Sequence, residues 1–217
     1  MKVSVIIPAY NEASRIGAVL APVLASELVN EVIVVDDGSE DGTADIARQF
    51  PVAVLCLPQN RGKAAALDEG VALAQHDDIL FLDADLVGLR TEHVDSMIKT
   101  YRDQELDMVV GVFSGGRATT DIAQTINPFA SGQRMIRRKL WQLAKNRVES
   151  SSTVEEMSFG VEIALSRMAV KEGWLKEKVK LDGVTHVLKE EKRGFSQGLR
   201  DRFRMYGDMI KWLVKKV

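Results

Sequence analysis

"DDILFLDADL", residues 77–86, runs four apolar residues, Ile79 to Leu82, straight into two aspartates separated by one alanine. A short β-rich apolar run predicts a buried strand, here over residues 78–85. Carboxylates are costly inside a core, so Asp83 and Asp85 belong at the strand's exit. Residues two apart on an extended chain share a side, which presents both acids together and leaves Ala84 on the other side. Two like charges that close must be exposed, protonated or neutralised. A hard divalent cation such as Mg²⁺ or Mn²⁺, taking oxygen ligands, neutralises them well. Asp83 and Asp85 are therefore candidate metal ligands. The plainer alternative, an exposed acidic turn, leaves the wholly apolar approach unexplained.

The same pattern recurs along the first half. "VSVIIP" (3–8), "EVIVVDD" (31–37), "VAVLCLP" (52–58) and "DMVVGVF" (107–113) predict further strands. Segments 11–26, 40–50, 62–76 and 91–104 carry apolar residues near helical spacing. Continuous Val/Ile/Leu strands alternating with helices predict an α/β fold: a mostly parallel sheet covered by helices on both faces. Ligands of such sheets bind beyond the carboxyl ends of the strands. Asn11 and Glu12, Asp36 and Asp37, Asn60 to Lys63, and Asp83 and Asp85 all fall there. One site assembled from four strand ends is the expectation.

The second half gives fewer signals. Residues 114–133 are rich in turn formers and predict a long loop, and "RMIRRKLWQLAKNRV" (134–148) predicts a basic helix with Arg137, Arg138 and Lys139 on its solvated side. Residues 158–174 predict a helix ended by Gly173, and 177–187 a strand. From Phe195, apolar residues Leu199, Phe203, Tyr206, Ile210, Leu213 and Val217 alternate at spacings of four and three, one face of a helix. That segment holds six Lys/Arg against two Asp. It suits packing on its own domain, a homodimer contact, or an anionic membrane surface. Without a repeat or low-complexity linker, the chain reads as one domain. Residues 1–112 form its ligand-binding half, 113–194 complete the site, and 195–217 form the C-terminal helix.

Composition narrows the classes. The chain has 217 residues, 46% hydrophobic and 28% charged, enough for a core without a disulfide or structural metal. Its formal net charge of -2 gives no reason to expect nucleic acid. No apolar run approaches a membrane span, and "VSVIIP" is broken too soon by Pro8 for a signal peptide. The expected address is the cytoplasm, with the C-terminal helix as a candidate contact to the inner face of the membrane. Cys56, the single cysteine, is expected as a small buried strand residue.

Two further motifs bear on chemistry. "VVDDGSEDGT" ends a strand on two carboxylates before a glycine turn; Ser39 or Asp41 suits an N-cap, and Asp37 suits a base or ribose. "NRGKAAALDEG" puts Lys63 at a helix N-terminus, where a phosphate can be met, without the glycine and Lys-Ser/Thr spacing of a P-loop. Arginine forks, Arg117 in the long loop among them, suit a phosphate or carboxylate on an acceptor.

"VSVIIPAYNEASRIGAVL", "EVIVVDDGSEDGTADIA", "NRGKAAALDEGVALA" and "DDILFLDADL", in that order over residues 3–86, resemble the successive motifs of glycosyltransferase family 2. The resemblance implies the GT-A fold, a three-layer α/β sandwich. It also implies a UDP- or GDP-sugar donor whose diphosphate is held through Mn²⁺ or Mg²⁺. It puts Pro8, Ala9, Tyr10, Glu12 and Asp37 around base and ribose, Lys63 near the nucleotide, and Asp83 with Ala84 near ribose and metal. Asp85 becomes the direct metal ligand.

"SGQ" (131–133), "FGVEIAL" (159–165) and "THVLKEEK" (185–192) are similar to elements of the glucosyl-3-phosphoglycerate synthase group. That likeness implies Glu162 at the sugar hydroxyls, with Asp85 the second catalytic candidate, and His186 completing the metal shell. In that group the Ser-Gly-Glu element faces the donor sugar, which makes Gly132 and Gln133, beside the loop's Arg117, candidates for the acceptor side. The chain departs from the group at Gln133, where the group has glutamate. The resulting expectation is transfer of a sugar to a small phosphorylated or lipid-linked acceptor. A sugar-nucleotide nucleotidyltransferase and a non-catalytic nucleotide-sugar-binding protein are the alternatives.

Overall fold

The computed structural model describes residues 1–114, 131–149 and 165–186, with only the backbone for residues 148, 149 and 186. The chain divides into two compact units, Met1–Thr185 and His186–Val217. The fold below is that of the first.

Strands β1 (Val3–Ala9), β2 (Glu31–Asp36), β3 (Ala53–Cys56) and β4 (Asp78–Phe81) alternate with helices α1 (Ile16–Leu24), α2 (Thr43–Ala47) and α3 (Lys63–Leu73). Then follow β5 (Leu86–Val87), α4 (Thr91–Asp103), β6 (Met108–Ser114), β7 (Arg134–Arg137), α5 (Arg138–Glu149), β8 (Lys176–Asp182) and β9 (Thr185–His186). The main sheet has seven strands in the order β3-β2-β1-β4-β7-β6-β8. Among the described residues its pairings are parallel except those of β7, which runs antiparallel to both β4 and β6. β5 and the short β9 form a separate two-stranded sheet.

Side chains alternate through the sheet into two cores. Val5, Ile7, Val34, Leu80 and Met135 pack against α1 and α4 on one face. Ile6, Ile33, Val35, Ile79, Phe81 and Ile136 pack against α3, α5 and the helical residues 165–171 on the other. The result is the three-layer α/β sandwich expected, with β1 and β2 buried throughout their centres. Gly70 is required by this closeness. A Cβ there would stand 2.4 Å from Ile6 Cγ2, so only glycine lets α3 lie down on β1.

Three local expectations are corrected. Residues 134–137 are a strand and not the start of a helix, which begins at Arg138. Met135 and Ile136 are both fully buried but enter opposite cores, a two-residue period hidden between arginines. Arg137 therefore lies on β7, while Arg138 donates to the Ala74 and His76 carbonyl oxygens; neither is part of a purely solvated helix face. Second, ladder pairing of β4 ends at Phe81, before the aspartates. Third, Cys56 is exposed, because β3 is an edge strand with a wetted face.

Gly173, with φ of +66°, follows the helical residues 165–171, as expected of a helix end. The strand expected over 177–187 is broken: Gly183, with φ of +76°, turns the chain between β8 and β9. Among the described residues no helix is long and apolar enough to cross a membrane. The segment 195–217 lies outside the described residues, as does most of the expected loop 114–133.

Candidate active site at the strand ends

β1 and β2 end side by side, and their loops are stitched together. Asn11 N–H donates to Ser39 Oγ, Glu40 N–H to Asn11 Oδ1, and Glu12 N–H to Thr43 Oγ1 at 2.8 Å. Asn11 pays for this turn with a positive φ of 55°, a conformation its short polar side chain tolerates. Asp41 accepts from Thr43 N–H and Thr43 Oγ–H through Oδ1 and from Ala13 N–H through Oδ2. Burial pushes its carboxyl up, but those hydrogen bonds outweigh it and hold Asp41 below its ordinary value. Pro8 and Ala9 are buried in this rim, Tyr10 is exposed, and Glu12 is buried with its carboxylate 2.8 Å from Arg15.

Asp37 has a structural duty that the sequence did not reveal. It is 3% exposed, and its two carboxylate oxygens accept from the backbone N–H of Arg61 and Gly62, each at 2.8 Å. The loop after β3 is thereby fixed to the end of β2, just where α3 begins without a side-chain cap of its own. Gly38 makes the approach feasible. A Cβ there would lie 2.6 Å from the Gln59 carbonyl carbon. This loop delivers Lys63.

Lys63 Nζ lies 2.6 Å from Asp83 Oδ1. The other oxygen, Asp83 Oδ2, accepts from Gln133 Nε2 at 2.7 Å. Gln133 is fully buried, and its Oε1 lies 2.8 Å from Ser131 Oγ, whose single proton is shared with the Gly111 carbonyl oxygen. Gly132 separates these partners. A Cβ on it would stand 2.5 Å from Lys63 Nζ and 2.8 Å from Asp83 Oδ2. Residues from α3, the end of β4 and the approach to β7 thus converge on one carboxylate.

Beyond β4, burial still alternates. Leu82, Ala84 and Leu86 are buried, whereas Asp83 and Asp85 are half-buried. Burial thus alternates past the ladder, but Ala84 and Asp85 lie in a turn and not on the extended strand expected to run to residue 85, and the two acids are the partly exposed residues of this stretch. The chain then passes through Gly88, where a Cβ would meet the Gly183 carbonyl oxygen at 2.5 Å. Arg90 secures this crossing: its guanidinium donates to the Asp182 carbonyl oxygen and lies 2.9 Å from His93 Nε2.

The donor set suits a divalent cation in kind: hard carboxylate oxygens, one of which already faces an ammonium cation. Asp83 and Asp85 would hold it. Among the described residues no third Asp, Glu, His or Cys joins them. The sequence also nominated His186; its backbone is in β9, and its side chain lies outside the described residues. Glu162 and Arg117 lie outside them altogether. Gly132 and Gln133, expected toward an acceptor, lie beside Asp83: Gln133 donates to it, and Gly132 leaves the space next to it free of a Cβ. A cavity of about 410 Å³ lies elsewhere, between α5 and residues 168–174, and none of the site residues lines it.

An open, mostly parallel sheet with acids gathered at its strand ends suits a nucleotide-sugar-binding transferase, and comparison with known proteins gives the class. Residues 4–159 match the model of glycosyl transferase family 2, and the chain belongs to that family. The 4,4'-diaponeurosporenoate glycosyltransferase of Staphylococcus aureus is 37% identical over 106 residues, covering 46% of this chain and 28% of that protein. The chain thus matches under a third of the length of this curated relative. Glucosyl-3-phosphoglycerate synthase from Mycobacterium tuberculosis, solved with Mn²⁺, UDP and glucosyl-3-phosphoglycerate, superimposes with a TM-score of 0.65 at 24% identity. That superposition covers 86% of this chain and 72% of the other. The same synthase with Mg²⁺ and UDP gives the same TM-score and identity, covering 86% and 71%. These likenesses establish the GT-A fold.

Proposed function

We propose that the protein transfers a sugar from a UDP- or GDP-sugar to a small phosphorylated or lipid-linked acceptor, with Mn²⁺ or Mg²⁺ at Asp83 and Asp85. The observation that carries this reading is the convergence of Lys63 and Gln133 on Asp83, two residues before Asp85, at the carboxyl rim of a family 2 sheet. In support, the M. tuberculosis synthase was solved with UDP, a divalent cation and a phosphorylated product.

The rim formed by Pro8, Ala9, Tyr10 and Glu12 would receive base and ribose. Asp37 keeps unused acceptor capacity beside its two backbone bonds and can take a further donor from the nucleotide. Lys63 sits at the first turn of α3, where ammonium and helix dipole both favour a diphosphate. Asp83 and Ala84 would border the ribose, and Asp85 would be the direct ligand. A bound cation would supply neutralisation of the charge that develops on the departing diphosphate, the electrostatic term this chemistry most needs.

Lys63 adds to that stabilisation, and Gln133 holds Asp83 so that the site does not reorganise during reaction. Glu162 is assigned to the sugar hydroxyls and His186 to the metal shell. Residues 195–217, with six Lys/Arg against two Asp, are assigned to a cytoplasmic membrane surface or a homodimer contact.

The test is cleavage of UDP-glucose, UDP-galactose and GDP-mannose by the purified chain, with Mn²⁺ and with a chelator, against a panel of phosphorylated and lipid-linked acceptors. Metal-dependent release of nucleotide diphosphate that rises with one acceptor is the expected result. Binding without any turnover across the panel would contradict transfer.

A further inference from the structure

The Asp83 carboxylate already has a cation. Lys63 Nζ stands 2.6 Å from Oδ1, with the lysine side chain 40% exposed and the aspartate only 16%. The two partners differ in freedom. Asp83 is tied through Oδ2 to the fully buried Gln133 amide and by its backbone to the end of β4. Lys63 has a four-carbon stem and reaches in from the start of a helix. Any exchange of cations at this carboxylate therefore moves the lysine.

We propose that Lys63 is a displaceable internal cation that couples binding of the divalent metal to binding of the diphosphate. The inference rests on the nucleotide-sugar reading of the site. The charges follow directly. Asp83 and Asp85 with Lys63 sum to one negative charge. A divalent cation alone converts that to one positive charge, with the ammonium crowded against it at close range. Arrival of a diphosphate restores balance, giving Lys63 an anion to face in place of Asp83. Gly132 eases the crowded point: a Cβ there would press on both Lys63 Nζ and the Asp83 oxygens, so position 132 itself puts no side chain against the lysine. Metal alone is opposed, and metal with nucleotide is favoured, by the same side chain.

Calorimetric titration of the whole chain tests this. Mn²⁺ is titrated alone, then in the presence of UDP or GDP, into the unmodified protein, Lys63→Met and Lys63→Arg. The unmodified protein should bind Mn²⁺ at least about tenfold tighter with one of the diphosphates present. Lys63→Met should bind Mn²⁺ alone about tenfold tighter than the unmodified protein, and its coupling factor should fall by a similar ratio. Lys63→Arg, which keeps the charge, should restore coupling. Equal Mn²⁺ affinity in Lys63→Met, or undiminished coupling, overturns the inference while leaving the nucleotide reading intact. If neither diphosphate binds the unmodified protein with Mn²⁺, both fall together.

Discussion

Gln133 Nε2 donates to Asp83 Oδ2 across 2.7 Å, tying the approach to the antiparallel strand β7 to the acid that follows β4. The donor is an amide, and the choice has a physical consequence. Glutamate at this fully buried position would face a carboxylate with a carboxylate, and neither could donate while ionised.

Gln133→Glu should therefore destabilise the metal-free protein at pH 7 by about 2–3 kcal/mol, the usual cost of a buried charge set against an unsatisfied partner. Urea unfolding of both proteins measures it. An unchanged midpoint would mean that Asp83 and Gln133 are not engaged in the folded chain.

Gly38 holds two loops in contact, and its φ of +74° adds a second reason for glycine. Gly38→Ala should cost at least about 2 kcal/mol, because the obstructing atoms belong to the Gln59–Asn60 backbone and cannot swing aside. The same loop carries Lys63, so nucleotide binding should weaken in step with stability.

Gly132→Ala separates stability from binding. Its added methyl would meet the tips of Lys63 and Asp83, one of which is long and flexible. Unfolding free energy should stay within about 1 kcal/mol of the original. Metal-dependent UDP or GDP affinity should drop about tenfold, since the displaced atoms are those of the site.

His93 offers a pH signature away from the acids. Burial, and then the Arg90 charge, lower its pKa from the ordinary 6.5. The folded protein thus takes up this proton less readily than the unfolded chain. Its contribution is complete above about pH 6.5 and is lost as pH falls through the lowered folded value. Urea midpoints between pH 7.5 and 5 should decline more for the unmodified protein than for His93→Gln. Parallel declines would show that His93 does not report on the Arg90 crossing.

Much of this was legible in the sequence because parallel strands announce themselves: apart from Ser4 and Glu31 near their starts, Val3–Ala9 and Glu31–Asp36 are apolar on both faces until polar residues appear at their ends. The acid pair was legible for the same reason. β7 was not, since its four residues begin and end with arginine and lead directly into an amphipathic helix. The duty of Asp37 was equally hidden, because acceptance from Arg61 and Gly62 amides depends on two loops meeting, which no local pattern encodes. Gln133 was noticed as a departure from a related group, but its hold on Asp83 required the strand order to be known.

The central claim is that Asp83 and Asp85 hold a divalent cation for a nucleotide diphosphate. Thermal unfolding of the unmodified chain and of Asp85→Ala, each with Mn²⁺ and UDP or GDP, tests it most directly. The account predicts a midpoint raised by Mn²⁺ and nucleotide together in the unmodified protein, and no such rise in Asp85→Ala. An undiminished rise in Asp85→Ala would contradict it.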